Sequence, residues 1–124
     1  MSNRTDQRKL TGRRGEDLAA DYLTQDDYLI VERNWRCRSG ELDLIARKDG
    51  LLIIIEVRSR KSLLQFGHPI ESVERRKQTQ VRRTAEVYVT MSSQSGSQIR
   101  FDVITVLLAK DGSLHEINHI QNAF

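Results

Sequence analysis

Acidic and basic side chains are interleaved with apolar ones in the segment GELDLIARKDGLLIIIEVRSRK, which covers residues 40–61. Asp43 and Glu56 are of interest because hard divalent cations such as Mg²⁺ or Mn²⁺ prefer carboxylate oxygens. A cation of this kind can polarise a phosphodiester and supply a hydroxide nucleophile. Arg58, close to Glu56 in the chain, could hold a phosphate oxygen through two hydrogen bonds. The segment therefore carries side chains suited to metal-assisted hydrolysis of a phosphodiester.

The spacing of these residues predicts a hairpin that brings them together. Asp49-Gly50 favours a two-residue type I′ turn, which places Asp43 directly opposite Glu56. The same register places Glu41 opposite Arg58. Because positions two apart share a face of a strand, we expect all four charged groups on one side of the sheet. Opposed like charges destabilise a sheet, and a cation would relieve that repulsion. The alternative is a cross-strand ladder of salt bridges without catalysis.

The remaining elements are expected to position this hairpin. Glu16 lies near the edge of the apolar stripe of the first helix, and Lys77 falls in line with the stripe of the second. From the residues alone, Glu16 is equally a solvated first-turn residue, and Lys77 equally a side chain that snorkels past the core. The pattern predicts helices over residues 13–25 and from between Pro69 and Arg75 to about Thr90, with strands over 28–36, 41–48, 51–58, IRFDVITVLL and SLHEINHI.

Composition favours one domain. With 124 residues, of which 30% are charged and 38% hydrophobic, the chain is globular in type and long enough for one core. No apolar run is long enough to cross a bilayer, and the start has no signal-peptide pattern, so we expect a cytoplasmic protein without a membrane partner. Residues 1–10 are polar and unpatterned and predict a flexible basic N-terminal arm, followed by the domain over residues 11–124.

Positive charge is unevenly distributed along the chain. Up to Arg83 there are 18 Lys and Arg against 13 Asp and Glu, and beyond it 2 against 4. A basic face is typical of a protein that binds polyanions, because each Lys or Arg at a phosphate releases counterions. The alternative is an ordinary solvated surface. The candidate nucleic-acid contacts are Arg13, Arg14, Arg38, Arg60, Lys61, Arg75, Arg76 and Arg82.

Other side chains that could do chemistry are interpreted as structural. Trp35 lies among arginines and could stack on a base, but a position in the core or at a sheet edge is favoured. Asp102 and the three histidines are more typical of structural or surface groups than of metal ligands. Cys37 is the single cysteine, so no disulfide can form within the chain.

These motifs resemble the YraN-like family of bacterial proteins. The resemblance runs nearly end to end through GRRGEDLAADYL, GELDLIARKDGLLIIIEVRSR, VERRKQ, RFDVITV and NAF. The family is similar to the PD-(D/E)xK superfamily, in particular to Holliday-junction resolvases and RecB-type nuclease domains. The resemblance implies an α/β, restriction-endonuclease-like single domain with a mixed central sheet flanked by helices. It also implies Asp43 and Glu56 as the two motif acids and Glu16 as an extra acid and third metal ligand.

Arg58 stands where the superfamily motif has lysine. Arginine stays protonated, so it can clamp phosphate but cannot act as a general base. Lys77 is the candidate to supply the missing ammonium group. The leading expectation is a Mg²⁺-dependent (or Mn²⁺-dependent) nuclease acting on DNA, with branched DNA suggested by the resolvase likeness and a homodimer suited to it. Two alternatives stay open: an inactive nucleic-acid-binding protein of the same fold, and an adaptor that uses the basic face for a protein partner.

Overall fold

The sheet is mixed, and two helices flank it. The computed structural model describes residues 4–61, 72–94 and 96–124. The helices are α1 (Arg4–Gln25) and α2 (Arg75–Met91), and the strands are β1 (Leu29–Cys37), β2 (Gly40–Lys48), β3 (Leu51–Lys61), β4 (Gln98–Leu108) and β5 (Leu114–Ile120). The strand order is β1-β2-β3-β4-β5. β3 and β4 run parallel, and the other neighbouring pairs are antiparallel. The predicted fold class, a mixed α/β single domain, is confirmed.

Each helix covers one face of the sheet. Ala19 and Leu23 of α1 pack against Leu44, Ile55 and other apolar residues of one face. The α2 cluster contains Val81, Ala85 and Tyr88, together with the apolar side chains of the opposite face. Both faces of β3 and β4 are therefore buried, which explains why residues 51–55 and 103–108 are almost continuously apolar.

Helix α1 begins at Arg4 and ends at Gln25. It therefore starts earlier than predicted, and residues 4–10, assigned to a flexible arm, are helical. Apolar periodicity reveals only the buried part of a helix, whereas residues 5–10 are all exposed. Gln, Lys, Arg and Leu in this stretch are good helix formers and extend the helix without a core to face.

The β2–β3 hairpin has the predicted turn. Asp49 has φ 52° and Gly50 has φ 78°, so both residues are left-handed, as a type I′ turn requires. The paired residues run from Lys48 opposite Leu51 to Leu44 opposite Ile55, which is the predicted register. No helix in the described part of the chain is both long and apolar enough to cross a membrane. His68 lies outside the described residues.

Candidate active site

Asp43 and Glu56 come together where β2 and β3 separate. Beyond the Leu44 and Ile55 pair, Asp43 Oδ2 accepts a hydrogen bond from the backbone N–H of Val57 at 2.9 Å. Asp43 and Glu56 line one cleft of about 700 Å³. The hairpin therefore places both carboxyl groups at one site, as the register predicted. The other residues that line this cleft are Val57, Arg58, Ser72, Glu74 and Lys77.

Glu56 is close enough to Asp43 to change the ionisation of that carboxyl group. Burial raises the pKa of Asp43 to about 8, and the neighbouring Glu56 adds to the effect by charge repulsion and by a side-chain hydrogen bond. The Val57 N–H works in the opposite direction, because it stabilises the ionised form. Glu56 itself is only 6% exposed. Asp43 therefore keeps its proton to a higher pH than an ordinary aspartate, and a divalent cation bound to both carboxyl groups would replace that proton.

Lys77 and Arg58 border the same cleft from two elements. The Lys77 Nζ of α2 lies 3.6 Å from Glu56 Oε2. Lys77 thus forms an ion pair with Glu56, and its ammonium group lies beside the carboxyl pair. Arg58, on β3, lines the cleft beside it. Their roles in catalysis stay predictions.

Glu41 does not join this group, so its predicted place opposite Arg58, on the same face as Asp43 and Glu56, is wrong. Its carboxylate pairs with Arg36 on β1 at 2.9 Å. The alternation of β2 is interrupted between Leu42, which packs in the α2 cluster, and Leu44, which packs in the α1 cluster. Strict alternation would have put these two leucines on one face. Glu41 consequently lies on the α1 side, and the salt bridge with Arg58 that the alternative interpretation required does not form.

Asn34 accompanies this interruption on the neighbouring strand. In the β1–β2 register Arg33 pairs with Leu44 and Trp35 with Leu42, so Asn34 stands opposite Asp43. Asn34 has φ 52°, a left-handed conformation that is rare inside a strand. Both strands are therefore irregular at the same point. Sequence reasoning missed Asn34, although asparagine is the non-glycine residue that tolerates this conformation best.

Glu16, on α1, approaches Asp43 from the face of the sheet opposite to the one that α2 and Lys77 cover. Both residues line a second cleft, of about 730 Å³, between α1 and β3. Burial raises the pKa of Glu16, and a hydrogen bond with the Asn34 side chain partly offsets this. Asp43 thus lies between two clefts, one with Glu16 and one with Glu56 and Lys77.

A metal site here would depend on two carboxylates. Among the residues that the structure describes, no group of three or more His, Cys, Asp or Glu side chains is arranged to hold one ion. Mg²⁺ is commonly held by one or two carboxylates and keeps several waters. The Asp43 and Glu56 pair fits that pattern, because a cation would replace the proton on Asp43 and relieve the charge repulsion from Glu56. Glu16 as a direct ligand stays a prediction.

Gly15 allows α1 to approach β3 beside Glu16. A Cβ atom on Gly15 would lie 1.7 Å from Ser59 Oγ and 2.8 Å from Ser59 Cβ, so no side chain fits there. Ser59 Oγ is buried and has no hydrogen-bond partner within the described residues. Sequence reasoning missed this contact, and the only available signal was a glycine within a helical pattern.

The basic residues predicted to bind nucleic acid do not form one patch. Arg60 and Lys61 line the cleft that contains Glu16, and Arg13 lines a third cleft beside Glu41. Arg14 donates to the Gly112 carbonyl at 3.4 Å. On the α2 side, Arg76 lines a groove, whereas Arg82 lies over the rings of Phe101 and Phe124. The remaining two, Arg38 and Arg75, are exposed.

Trp35 and Asp102 have structural surroundings, as expected. The ring of Trp35 packs edge-on against Tyr88 with centroids 5.2 Å apart, which favours the core interpretation over base stacking. Burial alone would raise the pKa of Asp102, but hydrogen bonds from His119 and Arg100 hold it below its usual value. Arg100 donates to both carboxylate oxygens at 2.8 Å, and His119 Nε2 lies 2.7 Å from Oδ2.

Comparison with known proteins identifies the family. The model of "Uncharacterised protein family UPF0102" matches residues 15–106, which include both strands of the hairpin, Glu16 and Lys77. A UPF0102 protein of Dictyoglomus thermophilum is 40% identical over 94% of this chain and 98% of its own length. One of Desulforamulus reducens is 46% identical over 94% and 97%. The resemblance to YraN-like proteins is thereby confirmed. The chain belongs to the uncharacterised protein family UPF0102.

Proposed function

We propose that this protein is a divalent-cation-dependent nuclease that hydrolyses phosphodiester bonds in DNA. The observation that carries the proposal is the pair of adjacent carboxyl groups, one with its pKa raised to about 8, in an open cleft with Lys77 Nζ 3.6 Å from Glu56 Oε2. Perturbed acids in a cleft next to a cationic group are typical of catalytic sites.

Each residue has a role that follows from its place. Asp43 and Glu56 would hold Mg²⁺, which supplies Lewis-acid activation of the phosphate and of a water molecule. Lys77, already beside Glu56, can donate a hydrogen bond or a proton to an oxygen of the substrate in the same cleft. Arg58 can clamp a phosphate oxygen with its planar guanidinium. Glu16 faces Asp43 from the α1 side and can orient a water molecule in that cleft.

The direct test is DNA cleavage. Labelled linear, flapped and four-way DNA are incubated with the protein in Mg²⁺ or Mn²⁺, beside the double variant Asp43→Asn, Glu56→Gln. The control variant Asp49→Asn, Glu86→Gln makes the same two chemical changes at exposed positions. We expect cleavage by the wild type and the control and none by the site variant. Cleavage that persists in the site variant would refute the assignment, and the preferred substrate would show whether branched DNA is favoured.

A second candidate is a nucleic-acid-binding protein of the same fold without turnover. The observation that favours it is Arg58 in the motif position of lysine, because arginine cannot release a proton there. In that case Lys77 and Glu56 form a purely structural ion pair. Binding to DNA that depends on salt but is never followed by cleavage, in either metal, would support this candidate over the nuclease.

A further inference from the structure

A groove runs along the exposed side of α2 and leads to the carboxylate cleft. We call it the α2 groove; its volume is about 630 Å³. Glu74 and Lys77 line both the groove and the cleft of Asp43 and Glu56, so the two adjoin. The groove is lined by Ser39, Glu74, Arg76, Lys77, Thr79, Gln80 and Arg83. Its basic residues outnumber its acidic ones by three to one.

The four arginines of α2 lie on two different sides of the helix. At about 100° per residue, Arg76 and Arg83 project to one side of α2, which is the side of the groove. Arg75 and Arg82 project to the other side. Arg82 is already in contact there, with its guanidinium 4.7 Å from the centre of the Phe101 ring. In each adjacent pair, the second arginine therefore lines the groove and the first does not.

The opposite wall of the groove is the turn between β1 and β2. Gln80 Nε2 donates to the Ser39 carbonyl at 3.2 Å, which ties the turn to the helix. Gly40 has φ 150°, and a Cβ atom there would lie 3.0 Å from Gln80 Nε2 and 3.1 Å from Thr84 Oγ1. The positive φ favours glycine at this position, and a side chain there would also have to displace Gln80 or Thr84 slightly. Arg38 lies exposed in the same turn.

We propose that the α2 groove binds the sugar-phosphate backbone of duplex DNA, without reading its bases, and leads the strand to Asp43 and Glu56. The proposal rests on the proposed function. Arg76 and Arg83 supply guanidinium groups that can pair with successive phosphates. No aromatic side chain of the described residues lines the groove or the cleft, so they offer no surface for base stacking.

The test compares two variants that remove the same charge from the same helix. Arg76→Gln, Arg83→Gln removes both arginines of the groove. Arg75→Gln, Arg82→Gln is the matched control: these two residues were candidate contacts from the sequence, but the structure places them outside the groove lining. Binding to a labelled duplex is followed by anisotropy in EDTA at several salt concentrations. We expect the groove variant to lower the log-log salt slope by about 1.8, or about 0.9 for each phosphate that no longer has an arginine partner, and the control to change it much less. An equal change in both variants would overturn the proposal.

Two further measurements separate loss of DNA contacts from unfolding, and backbone binding from base recognition. Thermal unfolding of both variants shows whether removing the Arg82 guanidinium from the Phe101 ring unfolds the control, in which case Arg75→Gln against Arg76→Gln gives the same comparison. Duplexes of equal length and different sequence should bind alike. A preference of about tenfold or more, the size expected when even one base pair is read, would contradict backbone binding.

The binding assay is independent of turnover. Because EDTA removes divalent cations, the Asp43→Asn, Glu56→Gln variant should bind DNA at least as tightly as the wild type. Groove-dependent binding without any cleavage would sustain this inference and refute the nuclease proposal. Cleavage without an effect of Arg76 and Arg83 on affinity would do the reverse.

Discussion

Asp43 should make the protein less stable as the pH rises, and Asp43→Asn should remove that loss. The pKa of Asp43 is about 8 in the folded protein against 3.8 for an unperturbed aspartate. Between these values the folded state holds a proton that the unfolded state has released. The stabilisation is therefore fully present below pH 3.8 and is lost as the pH rises through about 8. The free energy of unfolding should fall by about 1.4 kcal/mol per pH unit in this window.

Asparagine is a suitable replacement because it resembles the protonated acid. Its side-chain oxygen can still accept the N–H of Val57, which lies 2.9 Å from Asp43 Oδ2 in the wild type. At pH 8 the variant should therefore be more stable than the wild type, by several kcal/mol and at most roughly 5 kcal/mol. The contribution of Asp102 is common to both proteins and cancels in the comparison, whereas that of Glu16 cancels only in part, because its charge also raises the pKa of Asp43.

The assay is urea unfolding of both proteins at intervals from pH 5 to pH 9. Asp49→Asn, the same change at the exposed turn of the same hairpin, is the control. Equal pH slopes in the wild type and Asp43→Asn would show that Asp43 is ionised throughout and refute the reasoning. Addition of Mg²⁺ supplies a second readout: if the cation replaces the proton, it should stabilise the wild type increasingly towards pH 8 and leave Asp43→Asn unchanged.

Three further changes address the parts around the site. Gly15→Ala should destabilise the protein by about 1–3 kcal/mol in denaturant unfolding, because its Cβ would meet Ser59 Oγ at 1.7 Å. Gly12→Ala on the same helix is the control: its Cβ would meet no atom within 4 Å, so the substitution should stabilise the protein. A loss of stability equal to that of Gly15→Ala would contradict the packing argument. Asn34→Ala should cost about 1–2 kcal/mol through its left-handed backbone, whereas Asn34→Gly should cost less; the reverse order would exclude strain as the cause. Lys77→Ala should lower the DNA cleavage rate by about 10²–10⁴-fold with poor rescue by Lys77→Arg. Full activity of Lys77→Ala would remove Lys77 from the reaction, and full activity of Lys77→Arg would exclude proton donation by Lys77.

The hairpin could be predicted because its determinants are local. Asp49-Gly50 specifies both the turn type and the loop length, and these fix the register as far as Leu44 and Ile55. The approach of Asp43 to Glu56 follows from that register. Lys77 could be placed near the pair because its position in the apolar stripe of α2 turns it towards the sheet.

The error at Glu41 arose because the conformation of β2 depends on the neighbouring strand β1. Glu41 was placed by strict alternation, but β2 is irregular at Asp43, opposite the left-handed Asn34 of β1. Neither irregularity has a sequence signal as clear as Asp49-Gly50, because asparagine and aspartate also occur in regular positions. The start of α1 was misplaced for a different reason: its first residues face solvent and carry no apolar period.

The parallel pairing of β3 with β4 has a consequence for the order of folding. The strands β1, β2 and β3 are joined by short turns, so Asp43 and Glu56 can approach through contacts that are close in sequence. β4 reaches β3 only after the chain has passed through α2, which requires closure of a much longer loop. Until β4 docks, β3 exposes its apolar edge, and such an edge can pair with another chain. We expect the carboxyl pair to form early, and substitutions that slow the docking of β4 to cause aggregation during refolding before they affect the finished site.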